Sequence, residues 1–532
     1  MERFTVREAV FDFLRQSGVD TVFGNPGSTE LRMLRGWPAD FTYVLGLQES
    51  VVVAMAAGHA AGTGRAAVAS LHSAGGVGHS LGAVYNAYRD RVPLLIIAGQ
   101  QTRAMLPIRP FLAADEPATF PRPYVKWSGQ PARPEDVPTA VAEAFRMAMT
   151  PPRGPVFVSV PEDDWDHAAG PVALRDIRAD FTASPGALRE VAAAVNGARR
   201  PALVIGAGVD DDNAQDLAVE LAERAAAAVW IAPLSARSGF PQTHPLFHGF
   251  LPPVRDQIVA LLAGHDVVLV LGAPVFTYHI PTPGPVLPDG LRLFHLDCDP
   301  VAAAWTPAGT SVLSTLRAGL SALLQSVEKR PRAEVAPRHS PPPAPRRDPI
   351  EPALVIETLR SLVPADAVVV EEAPSHREEF HARFPITRPG GFLTTGSGVL
   401  GWGLPFAVGR ALATPGERVL CVIGDGSFMY AVQALWSAVR YRAAVTFVVL
   451  NNHGYEAVKQ LSRRLGAPEP VGTTIDGIDF VTVAAGLGCP GVRVPDAAGL
   501  GPALAAALGH DGPFLVEVPV AGGAGAAYET PS

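Results

Sequence analysis

A chain of 532 residues is too long for one hydrophobic core, and at roughly 100–200 residues per domain it should divide into about three. Apolar residues at 48% and charged residues at 18% are ordinary globular values, which excludes a disordered or fibrous chain. A formal charge of −8, with no Lys/Arg cluster interleaved with aromatic residues, excludes a nucleic-acid surface.

No apolar run reaches the span of a bilayer, and Met1-Glu2-Arg3-Phe4 leads directly into a helical pattern without a basic or apolar leader. A cytoplasmic protein with no membrane partner is expected. Cys298, Cys421 and Cys489 lie far apart and form no Cys-x-x-Cys pair, so they read as reduced packing residues.

In chain order, Thr5-Val6-Arg7-Glu8 fits a capping box, and Ala9, Val10, Phe13 and Leu14 recur at helical spacing until Gly18 supplies a stop. Short β-rich runs follow at 21–23, 42–45, 66–71 and 94–98, separated by Ala-rich stretches of helical length. That alternation predicts a parallel sheet flanked by helices. The rhythm restarts at 202–205 and 267–271, after a Pro-bearing stretch around Pro151, Pro152 and Pro155 and a turn-like segment at Ser184-Pro185-Gly186. Residues 330–352 are crowded with Pro, Arg and Ala, including Pro341-Pro342-Pro343, as in a stiff linker. Strand patterns at 367–370, 419–423, 445–450 and 514–518 then define a third unit. The expected class is α/β, with three doubly wound parallel-sheet domains at 1–182, 183–329 and 353–532 joined by the 330–352 linker. No short-period repeat is present, which excludes a solenoid.

The strongest chemical signal is Gly424-Asp425-Gly426-Ser427 at the end of one predicted strand, with Asn451-Asn452 at the end of the next. Two adjacent strand ends can hold a carboxylate and an amide oxygen a few ångströms apart, which suits a hard cation and diphosphate oxygens. Taken singly, Gly-Asp-Gly and Asn-Asn are more often turns, and it is their spacing and strand context that favour ligands. Gly206-Ala207-Gly208 opens like a dinucleotide fingerprint, but Asp211 stands at the third glycine position, so a second nucleotide site is not expected.

At Gly424 to Asn452 the sequence resembles the thiamine diphosphate-binding motif, and the likeness extends along the chain through Val22-Phe23-Gly24-Asn25-Pro26-Gly27-Ser28, Gln100-Gln101-Thr102-Arg103-Ala104-Met105 and Gly272-Ala273-Pro274-Val275-Phe276. The chain is identified as resembling the thiamine diphosphate-dependent 2-oxo acid decarboxylases, most closely the benzoylformate-type branch. The resemblance implies pyrimidine-binding, central and diphosphate-binding domains. It also implies thiamine diphosphate and Mg²⁺ as cofactors, and a homo-oligomer, dimer at minimum and tetramer by expectation, because the cofactor lies between subunits.

Residue by residue, the resemblance implies that Asp425, the Asn452 side chain and the Gly454 carbonyl hold Mg²⁺. Gly424, Gly426, Ser427 and Tyr455 would join the cofactor site, with Gly398 and Leu400 beneath the aminopyrimidine ring. His453 reads as a loop residue rather than a metal ligand. Glu49 corresponds to the activating acid, the alternative being a helix N-terminal charge. A partly desolvated carboxyl can share a proton with a weakly basic ring nitrogen. Ser28 corresponds to the substrate-carboxylate residue, the alternative being a helix N-cap. His72 and His279 correspond to the catalytic histidines, with His279 donating to the enamine carbon and His72 to the alkoxide. The remaining pocket would comprise Phe111, Leu112, Pro374, Thr394, Ala457, Val458 and Leu461. Here Pro374 stands for a threonine, Thr394 and Leu461 lie where aromatic residues occur, and Val458 stands for a leucine.

The implied reaction is non-oxidative decarboxylation of an aromatic 2-oxo acid such as phenylglyoxylate to the aldehyde and CO₂ through an ylid and an enamine. Two rivals share the fold: a carboligase resembling acetolactate synthase, and a catalytically silent regulatory subunit. The His72 and His279 pair argues against the first, and the joint presence of Glu49, Asp425 and Asn452 against the second. A NAD-dependent dehydrogenase would leave Glu49 unexplained.

Overall fold

The structure, a computed structural model, describes residues 4–280, 282–331 and 341–522. The chain starts as its local chemistry dictates. Thr5 Oγ1 accepts from the Glu8 amide at 3.2 Å while the Glu8 carboxylate accepts from the Thr5 amide at 2.7 Å. The resulting helix, Val6–Gln16, buries Ala9, Val10, Phe13 and Leu14 on one face.

Three six-stranded sheets follow, and every strand pairing within them is parallel. The first runs Thr42–Leu45, Thr21–Gly24, Ala67–Leu71, Leu94–Gln100, Pro155–Pro161, Trp127–Gly129 across its width. The third runs Phe392–Thr394, Val368–Glu372, Val419–Gly424, Val445–Asn451, Phe514–Pro519, Gly491–Arg493. Both sheets therefore share one spatial order, second strand, first, third, fourth, sixth, fifth. The middle sheet runs Phe247–Phe250, Ala228–Ile231, Pro201–Ile205, Val267–Leu271, Arg292–Asp297, Thr310–Leu313, outward on both sides of its first strand. The α/β class with three parallel sheets is as the sequence predicts.

One strand is not predicted and one reading needs correction. The Pro-bearing stretch near Pro155 carries Pro155–Pro161, a fully buried strand inside the first sheet. Its prolines stand at the two ends, where a missing ladder donor does least harm, and Val156 to Val160 is a continuous interior run. Ser184-Pro185-Gly186 is not a free turn but the start of the helix Pro185–Gly197, with Ser184 accepting from the Ala187 amide at 3.3 Å. Of the expected linker 330–352, residues 332–340 lie outside the described residues.

In an open parallel sheet, ligands enter the crevice where the strand order reverses. In the first unit that point lies between Thr21–Gly24 and Ala67–Leu71, and in the third between Val368–Glu372 and Val419–Gly424. In the middle unit it is closed by packed backbone. The Gly206 and Gly208 amides donate to Leu271 O at 2.8 Å and Gly272 O at 3.0 Å, and a Cβ on Gly208 would stand 2.9 Å from Gly272 Cα. Those glycines serve close chain contact, which leaves no phosphate cradle.

First and third units share one apolar core, running from Val51, Met55 and Ala57 to Phe406, Val408 and Leu404. At its centre the helices Glu49–Thr63 and Gly403–Ala413 cross so closely that a Cβ on Gly58 or Gly409 would overlap the carbonyl oxygen of Phe406 or Met55. No described helix is long and apolar enough to cross a membrane. Cys298, Cys421 and Cys489 are free thiols, the latter two buried.

Candidate active site

The third unit's switch point opens into a cleft of about 460 Å³. Parallel pairing sets Gly424 opposite Leu450, so Asp425 and Asn452 emerge from neighbouring strand ends. Asp425 is buried, with Oδ1 accepting from the Gly426 amide at 2.8 Å and Oδ2 from the Gly454 amide at 2.9 Å. Burial raises its pKa while those amides pull it down. Asn452 Oδ1 accepts from the Gly454 amide at 3.2 Å, which draws Asp425, Asn452 and Gly454 into one turn. Each carboxylate and amide oxygen there retains a second lone pair. One carboxylate, one amide and one main-chain carbonyl make an all-oxygen donor set, which fits a hard cation such as Mg²⁺. Gly426 lets the Tyr455 ring lie against it, where a Cβ would meet Cε1 at 2.6 Å.

The same cleft is lined by Gly398, Leu400, Gly424, Ser427, Tyr455 and His279, and its wall by Pro374, Ala457, Val458 and Leu461. Gly398 has φ +78°, a left-handed conformation suited to glycine. Its loop is tied to the first unit: the Gly396 amide donates to Asp90 Oδ1 at 3.0 Å and Asn86 Nδ2 to the Val399 carbonyl at 3.3 Å.

Thr394 is not part of this wall. It is buried beneath it, where its hydroxyl donates to the Glu371 carbonyl at 2.8 Å and accepts from Arg377 Nη2 at 2.9 Å. Its neighbour in the sheet, Val368–Glu372, sends Glu371 toward it.

Two cleft residues carry no recognisable sequence signal. Glu372 is buried and accepts from the amides of Gly401 at 2.7 Å and Gly403 at 2.6 Å, and burial raises its pKa to about 7 against those amides. His376 places Nε2 3.3 Å from Asn452 Nδ2, and burial lowers its pKa to about 4. A neutral His376 therefore accepts from Asn452 and turns the amide oxygen toward Asp425 and Gly454. Only the position of His376 two residues after Pro374 could have marked it.

Ser28, Glu49, His72, Phe111 and Leu112 do not line this cleft. They belong to the switch point of the first unit. Glu49 begins the helix Glu49–Thr63, but capping falls to Gln48, whose Oε1 accepts from the amides of Ser50 at 2.6 Å and Val51 at 3.2 Å. The Glu49 carboxylate is left for other work. Its Oε1 accepts from Asn25 Nδ2 at 3.1 Å and its Oε2 lies 3.2 Å from His79 Nδ1.

His72 packs against Gly27, where a Cβ would strike the imidazole. Its Nδ1 lies 3.0 Å from both Glu30 Oε2 and Thr29 Oγ1. Glu30 is buried, which raises its pKa, while Thr29, the Gly27 amide and His72 oppose the rise. With Nδ1 engaged, any bond from His72 to a ligand must run through Nε2. Ser28 is exposed and does not cap its short helix, a place taken by Gly27. The Leu112 carbonyl accepts from Ser73 Oγ at 2.5 Å, which brings Phe111 and Leu112 to this cluster, and Phe111 is 84% exposed. Asn25, Glu30 and His79 were not singled out by sequence, because each is defined by a partner from another strand end.

Two parallel-sheet units with the same strand order, each presenting polar groups at its switch point, define a thiamine diphosphate enzyme architecture. Family models match accordingly: "Thiamine pyrophosphate enzyme, N-terminal TPP binding domain" over residues 4–116, the central domain over 188–323, and the C-terminal TPP binding domain over 375–518. The chain belongs to the thiamine diphosphate-dependent 2-oxo acid decarboxylase family. It is 42% identical to the benzoylformate decarboxylase of Pseudomonas aeruginosa over 97% of this chain and 98% of that protein. The solved 4-hydroxybenzoylformate decarboxylase of Rhodococcus jostii superposes with a TM-score of 0.95 at 39% identity, covering 97% of this chain and 99% of that one. The acetolactate synthase isozyme 1 large subunit of Escherichia coli is 29% identical over 97% of this chain and 94% of its own length.

Proposed function

We propose that this protein decarboxylates an aromatic 2-oxo acid, phenylglyoxylate first, to the aldehyde and CO₂, as a cytoplasmic homo-oligomer using thiamine diphosphate and Mg²⁺. The observation that carries the reading is the single cleft that gathers Asp425, Asn452, Gly454, Gly398, Leu400 and His279 beside a largely apolar wall. The pyrimidine-binding, central and diphosphate-binding units are taken to run 1–182, 183–329 and 353–532, joined by 330–352.

Asp425, Asn452 and the Gly454 carbonyl would hold Mg²⁺, Gly424, Gly426, Ser427 and Tyr455 would border the diphosphate, and Gly398 and Leu400 would support the aminopyrimidine ring. When bound, the cofactor supplies a carbon nucleophile and an electron sink. Glu49 would share a proton with the pyrimidine nitrogen, a role open to its mostly buried carboxylate because the helix is capped by Gln48. Ser28 Oγ would hold the substrate carboxylate, His72 Nε2 would face the substrate's oxo oxygen as a proton donor, and His279 would be the second proton donor, placed in the cleft. Val458, Leu461 and Ala457, with Phe111 and Leu112 opposite, keep water from the aryl group. That Glu49 and His72 do not line the cleft of their own chain supports a second copy presenting its first unit there, in which case the dimer would be the smallest complete site.

The test is an assay with thiamine diphosphate and Mg²⁺ over aryl and alkyl 2-oxo acids, measuring CO₂ and organic product together. Aldehyde equal to CO₂ and greatest with phenylglyoxylate is the expected result. The likeness to acetolactate synthase supports a second reading, carboligation, which predicts acyloin in place of aldehyde.

A further inference from the structure

We propose that His79 is a positioning residue for Glu49, holding the carboxylate in the orientation from which it shares its proton with the cofactor. The inference rests on the reading of Glu49 as the activating acid. It stands on the face of one helix. In Ser73–Arg89, which begins directly after His72, positions 72, 76 and 79 fall on one side at helical spacing. At the middle position a Cβ on Gly76 would lie 3.2 Å from Glu49 Cγ and 3.5 Å from His72 Cβ, so the helix backbone runs directly along the Glu49 side chain. The next side chain on that face is His79, and its Nδ1 reaches Glu49 Oε2 at 3.2 Å.

The carboxylate is thereby tethered at both oxygens from two elements, by Asn25 after the strand Thr21–Gly24 and by His79 from the helix. The Glu49 side chain is only 11% exposed, so water cannot readily replace either bond. Removing one tether frees the terminal torsion of the glutamate, which is broad and unrestrained by sterics. The His79 side chain is itself 69% exposed, so it adds little to the core, and its effect on chemistry is separable from folding. An asparagine at 79 would carry its amide nitrogen close to where Nδ1 stands and keep the tether. An alanine would not.

The experiment compares His79→Ala, His79→Asn and Glu49→Gln in the holoenzyme by exchange of the bound cofactor's C2 proton with deuterium, by the circular-dichroism band of its imino tautomer, and by cofactor affinity. His79→Ala should exchange about tenfold more slowly, the size expected for loss of one hydrogen bond to a charged group. His79→Asn should recover to within about threefold of the parent, and affinity should hold in both. Native exchange in His79→Ala, or His79→Asn as slow as His79→Ala, overturns the proposal while slow Glu49→Gln leaves the activating acid standing. Native exchange in Glu49→Gln removes the underlying reading itself.

Discussion

Glu372 and His376 sit four residues apart in the same cleft and respond to pH with opposite signs. Glu372 has its folded pKa raised from 4.5 to about 7, so the folded state binds more protons between those values and its contribution is lost as pH rises through them. His376 has its folded pKa lowered from 6.5 to about 4, so the unfolded state binds more protons in that window and stability is lost as pH falls through it. Each shift corresponds to about 3 kcal/mol across its window. Within this pair the two slopes nearly cancel between pH 4.5 and 6.5, so each shows only in the difference between parent and a variant that lacks it. Glu372→Gln removes the falling limb, so its stability relative to the parent should climb by about 3 kcal/mol from pH 4.5 to 7, roughly 6–12 °C of midpoint for a unit of this size. His376→Gln, which keeps an acceptor for Asn452, should show the reverse, gaining on the parent as pH falls from 6.5. The assay is thermal unfolding of cofactor-free protein at half-unit pH steps, read as the difference between variant and parent. Parallel curves for Glu372→Gln and the parent would refute the claim that burial outweighs the amides of Gly401 and Gly403.

Glu30→Gln keeps the size of the side chain but takes the charge away from His72 Nδ1, and kcat/KM should fall roughly 10–100-fold with folding retained, measured by steady-state kinetics and melting. Gly409→Ala drives a methyl into the Met55 carbonyl at the crossing of Glu49–Thr63 and Gly403–Ala413. It should cost about 1–3 kcal/mol or more, read as a lowered denaturant midpoint, and should weaken cofactor binding because the displaced helix carries Glu49.

Much of this protein was legible from short stretches of chain. The capping box at Thr5, the strands ending at Gly424 and Asn451, and the restart of the βα rhythm at Pro201 depend on residues within about ten positions of one another, where helix and strand periodicity are written directly. The buried strand Pro155–Pro161 was obscured because prolines at its ends look like punctuation, while only the sheet reveals that neither end needs a ladder donor.

The site was legible as an inventory of groups and hidden as a set of pairs. Glu30 with His72, Asn25 and His79 with Glu49, His376 with Asn452, and Thr394 with Glu371 join residues outside any local stretch of chain, which meet only once the strands and helices of each unit have assembled. The sequence by itself determined the three α/β units and the carboxylate and amide side chains at two strand ends, since local periodicity and residue chemistry suffice for both. Tertiary structure alone decided which carboxylate faces which imidazole, and that the first-unit cluster does not line the third-unit cleft of its own chain. Strand order sets those distances, and strand order follows from how the helices pack across each sheet rather than from any short run of residues.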